Sequence, residues 1–398
     1  MPKSLQDVAE VHYGKSQNGV ADKYGDFPII GTGGFLGYAR KPLFSGPAIV
    51  VGRKGTLNNP IYSPDDFWAV DTTYAVVPKE NIHPKWLYFT LKNARLELLN
   101  EATGVPSLSR DRLFRVPVQD VEFLEQTRIA YVLDTIDEAI AQTESVIAKL
   151  KQVRAGMLHD LLSYGLDEHG KLRDPFAHPE EFKDSPLGRI PRAWDSGPLS
   201  QFVLSAEYGI STSLGDKGYP VLRMNNLSEG EAELSDLKYS AAPVPEGLWL
   251  RPGDVLFNRT NSWEHVGRTG IWRGQIERAT FASYLVRLNP NPDRLISELL
   301  NLWLNWPVTQ IAIRRFATPA VQQVNINPTN LRQVRAAFPI SINEQTEIVE
   351  RINRQDMTIR SARAEHIKLM HLKSGLQDDL LTGRVRVPET IMEGAENA

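Results

Sequence analysis

The residues best suited to chemistry in this chain cluster in short glycine-rich and basic stretches. The first is Gly31-Thr32-Gly33-Gly34-Phe35-Leu36-Gly37. It approaches a dinucleotide-binding loop, but the sixth position of GxGxxG is Leu36, and a strand pattern follows where a helix N-terminus would have to hold the pyrophosphate. The second, Gly52-Arg53-Lys54-Gly55-Thr56, has a phosphate-binding composition without the spacing of a P-loop. The eight histidines show no metal-ligand spacing, HExxH is absent, and there are no cysteines to form a thiolate site. No Ser/His/Asp set or carboxylate pair has a supporting context. The expectation is a protein that is not an enzyme, with no catalytic residue and no metal.

Asn59-Pro60-Ile61-Tyr62 faintly resembles the Asn/Asp-Pro-Pro-Tyr of amino-methyltransferases, but it lacks the second proline and any glycine motif for the cofactor. It reads as a turn. What remains is a set of polar loops at matching places in two halves of the chain. After one strand pattern stand Thr32 and Gly33, matched by Arg223, Asn225 and Asn226. After the next stand Arg53, Lys54, Thr56 and Asn58, matched by Asn258, Arg259, Thr260 and Asn261. Before the last strand stand Ser107, Ser109 and Arg110, matched by Arg314, Arg315, Gln322, Gln323 and Asn325. Arg can grip guanine or phosphate with two donors, Asn and Gln can grip adenine, and glycine admits close backbone approach. The same residues also suit solvated turns. Their recurrence in both halves favours a nucleic-acid interface for the set rather than for any one member.

These loops need elements to position them, and the chain supplies the same elements twice. Short strand patterns match in order: Phe27-Pro28-Ile29-Ile30 with Tyr219-Pro220-Val221-Leu222, and Ile49-Val50-Val51-Gly52-Arg53 with Val255-Leu256-Phe257-Asn258-Arg259. Thr73-Tyr74-Ala75-Val76 then aligns with Ser283-Tyr284-Leu285-Val286, and the helical Leu87–Leu91 stretch with Leu300–Leu304. Each half ends in a proline-free segment opening Glu-Gln-Thr and closing Asp-Leu-Leu. These segments, 125–162 and 344–381, share 12 identities in 38 residues at a constant shift of 219. Apolar residues recur in the first at Ile129, Leu133, Ile136, Ile140, Ile147 and Leu150, and in the second at Ile348, Ile352, Ile359, Leu369, Leu376 and Leu380. This is the alternating spacing of a coiled-coil seam. At 1.5 Å rise per residue each helix is about 57 Å long. Arg154 and Lys373 interrupt the two seams at equivalent places, and His366 stands where the first copy has Ile147. A charge there implies an opening, a partner, or a side chain that snorkels to the helix edge. Gly156 and Gly375 suggest close packing or a bend.

The expected fold class is α+β: two β-rich globular heads separated by two long antiparallel coiled-coil helices, a pseudo-two-fold tandem repeat. The expected divisions are a head at 1–120, a helix at 121–165, a linker at 166–186, a second head at 187–340, a second helix at 341–384 and a flexible tail at 385–398. At 398 residues with a net charge of −3 the chain suits two or three globular domains. That charge is unevenly spread. Residues 1–115 hold 14 Lys/Arg against 11 Asp/Glu, and 187–340 hold 16 against 13. The remaining, helix-bearing parts hold 15 against 24. No apolar run spans a bilayer and no signal peptide opens the chain, so a cytoplasmic location is expected.

With the duplicated head, the Glu125-Gln126-Thr127 and Glu344-Gln345-Thr346 helix openings and the lead-in Leu187-Gly188-Arg189-Ile190-Pro191-Arg192-Ala193-Trp194, the chain resembles the specificity subunit of type I restriction–modification systems. The resemblance runs essentially end to end, although the N-terminus lacks a copy of the lead-in. It implies that each head is a target-recognition domain reading half of a split DNA sequence. The helices would set the gap and dock two modification (methyltransferase) subunits. Those partners would carry S-adenosylmethionine and methylate adenine, and restriction (motor–nuclease) subunits would carry ATP and Mg. A non-DNA scaffold with two protein-binding heads is the rival of a different class, separable by selection from a random duplex pool. The other alternative is a recognition subunit whose partner fuses methylase and nuclease.

Overall fold

The computed structural model describes residues 3–320 and 323–391. It forms two compact units, Met1–Ile147 with Ala362–Ala398, and Ala148–Ser361. Each unit is thus a head together with half of each long helix. A helix with one apolar stripe cannot bury that stripe alone, so each half belongs to the head it packs on.

In the first unit the strand Ala48–Gly52 is buried at every position. It lies between Thr73–Pro78 and Ile61–Ser63, with Ala9–Tyr13 outside Thr73–Pro78, all antiparallel. A second sheet orders Gly34–Ala39, Phe27–Gly31 and Trp68–Ala69, the last pairing being parallel. The helix Pro84–Asn93 starts with proline, where a missing N–H is no loss, and His83 caps it by accepting from the Trp86 N–H. Its Trp86, Leu87, Phe89 and Leu91 share one core with Ile129, Ala130 and Leu133 of the first long helix and Leu380 and Leu381 of the second.

The second unit repeats this plan with additions. Its main sheet orders Val203–Tyr208, Leu285–Pro290, Val255–Asn258, Thr269–Ile271, Gly230–Ala232 and Leu227–Ser228. The companion sheet orders Lys238–Ser240, Tyr219–Leu222 and Thr280–Phe281, again with one parallel pairing. The α+β class and the repeat expected from the sequence both stand. One strand match needs correction. Gly52 faces Thr73 and the corresponding Asn258 faces Leu285, so Thr73 corresponds to Leu285 rather than Ser283. Strand side chains alternate with a period of two, so a slip of two keeps every residue on its proper face and escapes pattern matching.

The long helices run Phe123–Tyr164 and Ile342–Leu381. In the first unit Asp137 pairs with Lys373, and Glu144 lies 3.0 Å from the His366 ring. In the second, Arg154 pairs with Asp356 and the Gln355 amide donates to the Leu150 carbonyl at 3.2 Å. In the first unit Asp137 meets Lys373 and Glu144 meets His366, and in the second Arg154 meets Asp356 while Leu166, just past the first helix, meets Glu344 at the start of the second, so the pairing is antiparallel in each. Ile129, Leu133, Ile136, Ile140, Ile348, Ile352, Ile359 and Leu380 are buried. Ile147, Leu150, Leu369 and Leu376 are half-buried. Arg154 and Lys373 therefore do not open the seam: each meets an aspartate of the opposite helix. The two aspartates occupy equivalent positions in the repeat, as do the two cations. Gly156 and Gly375 are not points of close packing either, since a Cβ on either would meet nothing within 4 Å.

The Glu-Gln-Thr openings have a structural role. Gln126 accepts from the His83 N–H at 2.8 Å and donates to the Val121 carbonyl at 2.9 Å. Gln345 accepts from the Ile296 N–H at 3.0 Å and donates to the Arg294 and Pro339 carbonyls. The glutamine of each copy thus ties helix to head. The glutamate beside it receives the chain leaving the other helix: Glu125 accepts from the Val387 N–H at 2.9 Å, and Glu344 from the Leu166 N–H at 2.9 Å. Just past each helix end, Gly165 (φ 64°) and Gly383 (φ 76°) take the left-handed conformation that glycine adopts without strain.

Two expected divisions change accordingly. The 166–186 stretch is built into the second unit. Arg173 binds Glu344 at 2.7 Å, and Phe182–Ser185 pairs with Gly188–Pro191 of the lead-in. The 385–398 stretch is not a free tail through its first part, because Val387 is buried in the first head's core; residues 392–398 lie outside the described residues.

Candidate nucleic-acid interface

In the first head three of the predicted loops converge. The Leu108 N–H donates to the Arg53 carbonyl at 2.9 Å, and the Gly55 N–H to the Pro106 carbonyl at 2.8 Å. Lys54 and Ser107 form an antiparallel bridge. The Thr32 hydroxyl is 3.6 Å from the place a Cβ on Gly55 would take. Burial pushes the Tyr74 hydroxyl up to about 12, so it stays protonated and donates to the Leu108 carbonyl at 3.0 Å, pinning the last loop to the sheet. Thr32, Arg53, Lys54, Ser107 and Arg110 are thereby gathered at one end of the main sheet. Gly33, Thr56 and Asn58 lie exposed on the same loops. Ser109 has a local role instead, capping the helix Arg110–Phe114 through the Arg112 N–H.

The organising side chain was not among the predicted residues. Tyr13, at the end of Ala9–Tyr13, is 48 % exposed. The guanidinium groups of Arg53 and Arg110 each lie 5.3 Å from its ring centroid. Arg53 also donates to the Asp71 carbonyl at 2.9 Å. Neither arginine forms an ion pair among the described residues, so their charge is uncompensated locally.

The second head carries the same arrangement. Arg259 lies 5.2 Å from the ring of Tyr208, which is 47 % exposed and ends the strand Val203–Tyr208. The Arg259 N–H donates to Tyr284 and its carbonyl accepts from Ile326, as the Arg53 N–H donates to Thr72 and its carbonyl accepts from Leu108. A short motif could have revealed both tyrosines. Tyr13-Gly14-Lys15-Ser16 and Tyr208-Gly209-Ile210-Ser211 share Tyr-Gly-x-Ser. The glycine is required in each, because a Cβ would come within 2.0 Å of the Val70 carbonyl oxygen or 2.1 Å of the Phe281 carbonyl oxygen.

Other predicted residues of this head are structural. Asn226 is fully buried, accepting from the Arg223 N–H and donating to the Ser235 carbonyl. Asn258 is fully buried and donates to the Met224 carbonyl at 3.2 Å. Thr260 is buried and bonded to Asn325 at 2.5 Å. Their polarity serves loop backbone that would otherwise be buried without partners. Arg223 and Asn225 both bind Asp236, whose carboxyl these hydrogen bonds, Arg223's first, hold below the usual range. Asn261 is half-buried and accepts from the Ser262 N–H at 2.8 Å. Arg314 ends the helix Pro307–Arg314, while Arg315 and Gln323 are exposed. Gln322 lies outside the described residues. The Asn261 loop also presents Trp263, which is 51 % exposed.

The class defined by this fold is a tandem α+β protein with two β-rich heads and two paired long helices. Residues 1–152 match the family described as type I restriction modification DNA specificity domain. Two relatives come from Methanocaldococcus jannaschii. The type I restriction enzyme MjaVIII specificity subunit is 23 % identical over 76 % of this chain and 70 % of its own. The protein described as "Putative type I restriction enzyme MjaX specificity subunit" is 27 % identical over 52 % of this chain. The match spans about half, 50 %, of that relative's length. The fold is shared with the crystal structure of a type I restriction–modification S subunit from M. genitalium, at a TM-score of 0.60 and 14 % identity over 96 % of both chains. A structure from work on assembly and conformational transition of the type I system gives 0.57 and 15 % over 95 % of this chain and 96 % of that one. The resemblance drawn from the Glu-Gln-Thr helices and the repeated head is thus supported: residues 1–152 match that family, and the chain is similar to type I specificity subunits over most of its length.

Proposed function

We propose that this chain is the DNA sequence-recognition subunit of a type I restriction–modification complex and performs no chemistry itself. The observation that carries the reading is the repeated tyrosine–arginine site. It sets a guanidinium group stacked on an exposed tyrosine, with no ion pair among the described residues, at the same end of the main sheet in both heads. Each head would read one half of a bipartite duplex target. The helices would fix the gap between the half-sites, since about 57 Å of helix exceeds one DNA turn of about 34 Å. They would also dock two modification subunits, which carry S-adenosylmethionine and methylate flipped adenines. Restriction subunits with ATP and Mg complete the proposed complex, in the cytoplasm where the DNA is.

Genome-wide mapping of methyladenine in cells expressing this chain with a modification partner tests the reading. A motif of two short halves at a fixed gap is expected; a continuous motif, or no motif, overturns it. Deleting seven residues from one long helix should shorten the tolerated gap, and an unchanged gap would sink the ruler role.

A further inference from the structure

The two tyrosine–arginine sites match to the level of backbone hydrogen bonds, while their surroundings do not. Leu108 and Ile326 make the same bond to Arg53 and Arg259, so Arg110, two residues on, corresponds to Pro328. Ser107 likewise corresponds to Asn325. The turn at Thr32 and Gly33 is replaced by the longer 223–237 segment, which includes the strands Leu227–Ser228 and Gly230–Ala232. A contact made identically by both heads cannot distinguish one half-site from another; a contact present in only one head can.

We propose that Arg53 and Arg259 are phosphate-binding residues, each gripping the DNA backbone, and that base reading belongs to the neighbours that differ. This rests on the DNA-recognition reading above. The chemistry of the site fits a phosphate. A guanidinium lying on an aromatic ring leaves donors at its planar edge; Arg53 gives one Nη1 hydrogen to the Asp71 carbonyl, and its remaining N–H groups suit phosphate oxygens. The backbone of each arginine is held at both its N–H and its carbonyl, so the side chain starts from a fixed point. Tyr13 and Tyr208 are positioning residues: they hold the fork and add no charge. Phosphate contacts set register and orientation without carrying sequence information.

The test uses the full-length chain, a fluorescein-labelled pool of random-sequence duplexes, and a duplex selected from that pool by the wild type, titrated over a salt series. Arg53→Gln should weaken binding to both DNAs by the same factor, about tenfold, as expected for loss of one charge-assisted pair. It should lower the slope of log affinity against log salt by about 0.9, one phosphate's worth of released counterion. Arg259→Gln should behave identically. Arg53→Lys, which keeps the charge and the least disturbed fold, should lose affinity with the slope retained, and Tyr13→Leu should do the same. Loss confined to the selected duplex, with binding to the random pool intact, would make Arg53 a base reader and overturn the assignment. No change on either DNA would remove Arg53 from the interface. A wild-type chain that binds neither pool nor selected duplex would instead overturn DNA recognition itself.

Discussion

The two heads share a frame and differ in how much is built onto it. In the first head the main sheet ends at the strand Ile61–Ser63, and the residues beside it line an open cavity of about 400 Å³ with Tyr62, Lys85, Tyr88 and Asp134 on its walls. In the second head the corresponding strand, Thr269–Ile271, is covered by Gly230–Ala232, and Asn301 donates to the Gly230 carbonyl at 2.8 Å. A sheet edge presents unpaired backbone groups, and the second head supplies its own strand to meet them. The clips at the helix openings differ in the same sense. Glu344 is enclosed by Leu166, Arg173 and the Trp194 indole at 3.0 Å, whereas Glu125 has the Val387 N–H and Arg128 at 3.3 Å. The duplicated glutamate therefore does one job at two strengths. The elaborated head has the richer clip because Arg173 of the 166–186 stretch and Trp194 of the lead-in both reach it.

That contrast can be broken most forcefully at the clips. Glu344→Ala leaves buried Arg173 only its longer ion pair with Glu181 at 3.9 Å and should lower stability by about 3 kcal/mol, read by chemical denaturation. Glu125→Ala removes acceptors from one backbone N–H and a more exposed arginine and should cost about 1–3 kcal/mol. Equal losses would refute the difference in strength. At the interface, Arg110→Pro gives the first head the residue of the second. It should relax base preference at one half-site by about 1–3 kcal/mol, visible in duplex selection, and leave the other half-site unchanged.

The seam should respond evenly. Asp137→Asn and Asp356→Asn each remove the partner of a half-buried cation and should cost about 1 kcal/mol by the same denaturation assay. Exchanging Asp137 and Lys373 should restore most of that loss, and failure of the exchange would argue against a direct pair. The smallest effect is expected at Gly156→Ala and Gly375→Ala. Each added methyl meets empty space in a helix interior, so each should raise stability by about 0.5–1 kcal/mol. A loss at either would reveal a contact that this geometry lacks.

Much of this protein follows from the order of its residues alone. A repeat with a constant shift, a coiled-coil period and two Glu-Gln-Thr openings determines two heads and two long helices, because periodicity and capping are local properties. The loops that gather at the sheet end were visible as well, at Arg53, Lys54, Ser107, Arg110 and Arg259. What the tertiary structure alone decided is which polar residues face outward. Asn226, Asn258 and Thr260 have the composition of base readers and are buried as backbone partners, since a loop folded over a core must satisfy its own N–H and carbonyl groups first. Tyr13 and Tyr208 lie outside the loops read as an interface, and only the strand pairing brings the arginines onto their rings. The charges of Arg154 and Lys373 looked like flaws until the antiparallel register set an aspartate opposite each. Sequence spacing reports neighbours along one element; it cannot report which residue of another element arrives beside them.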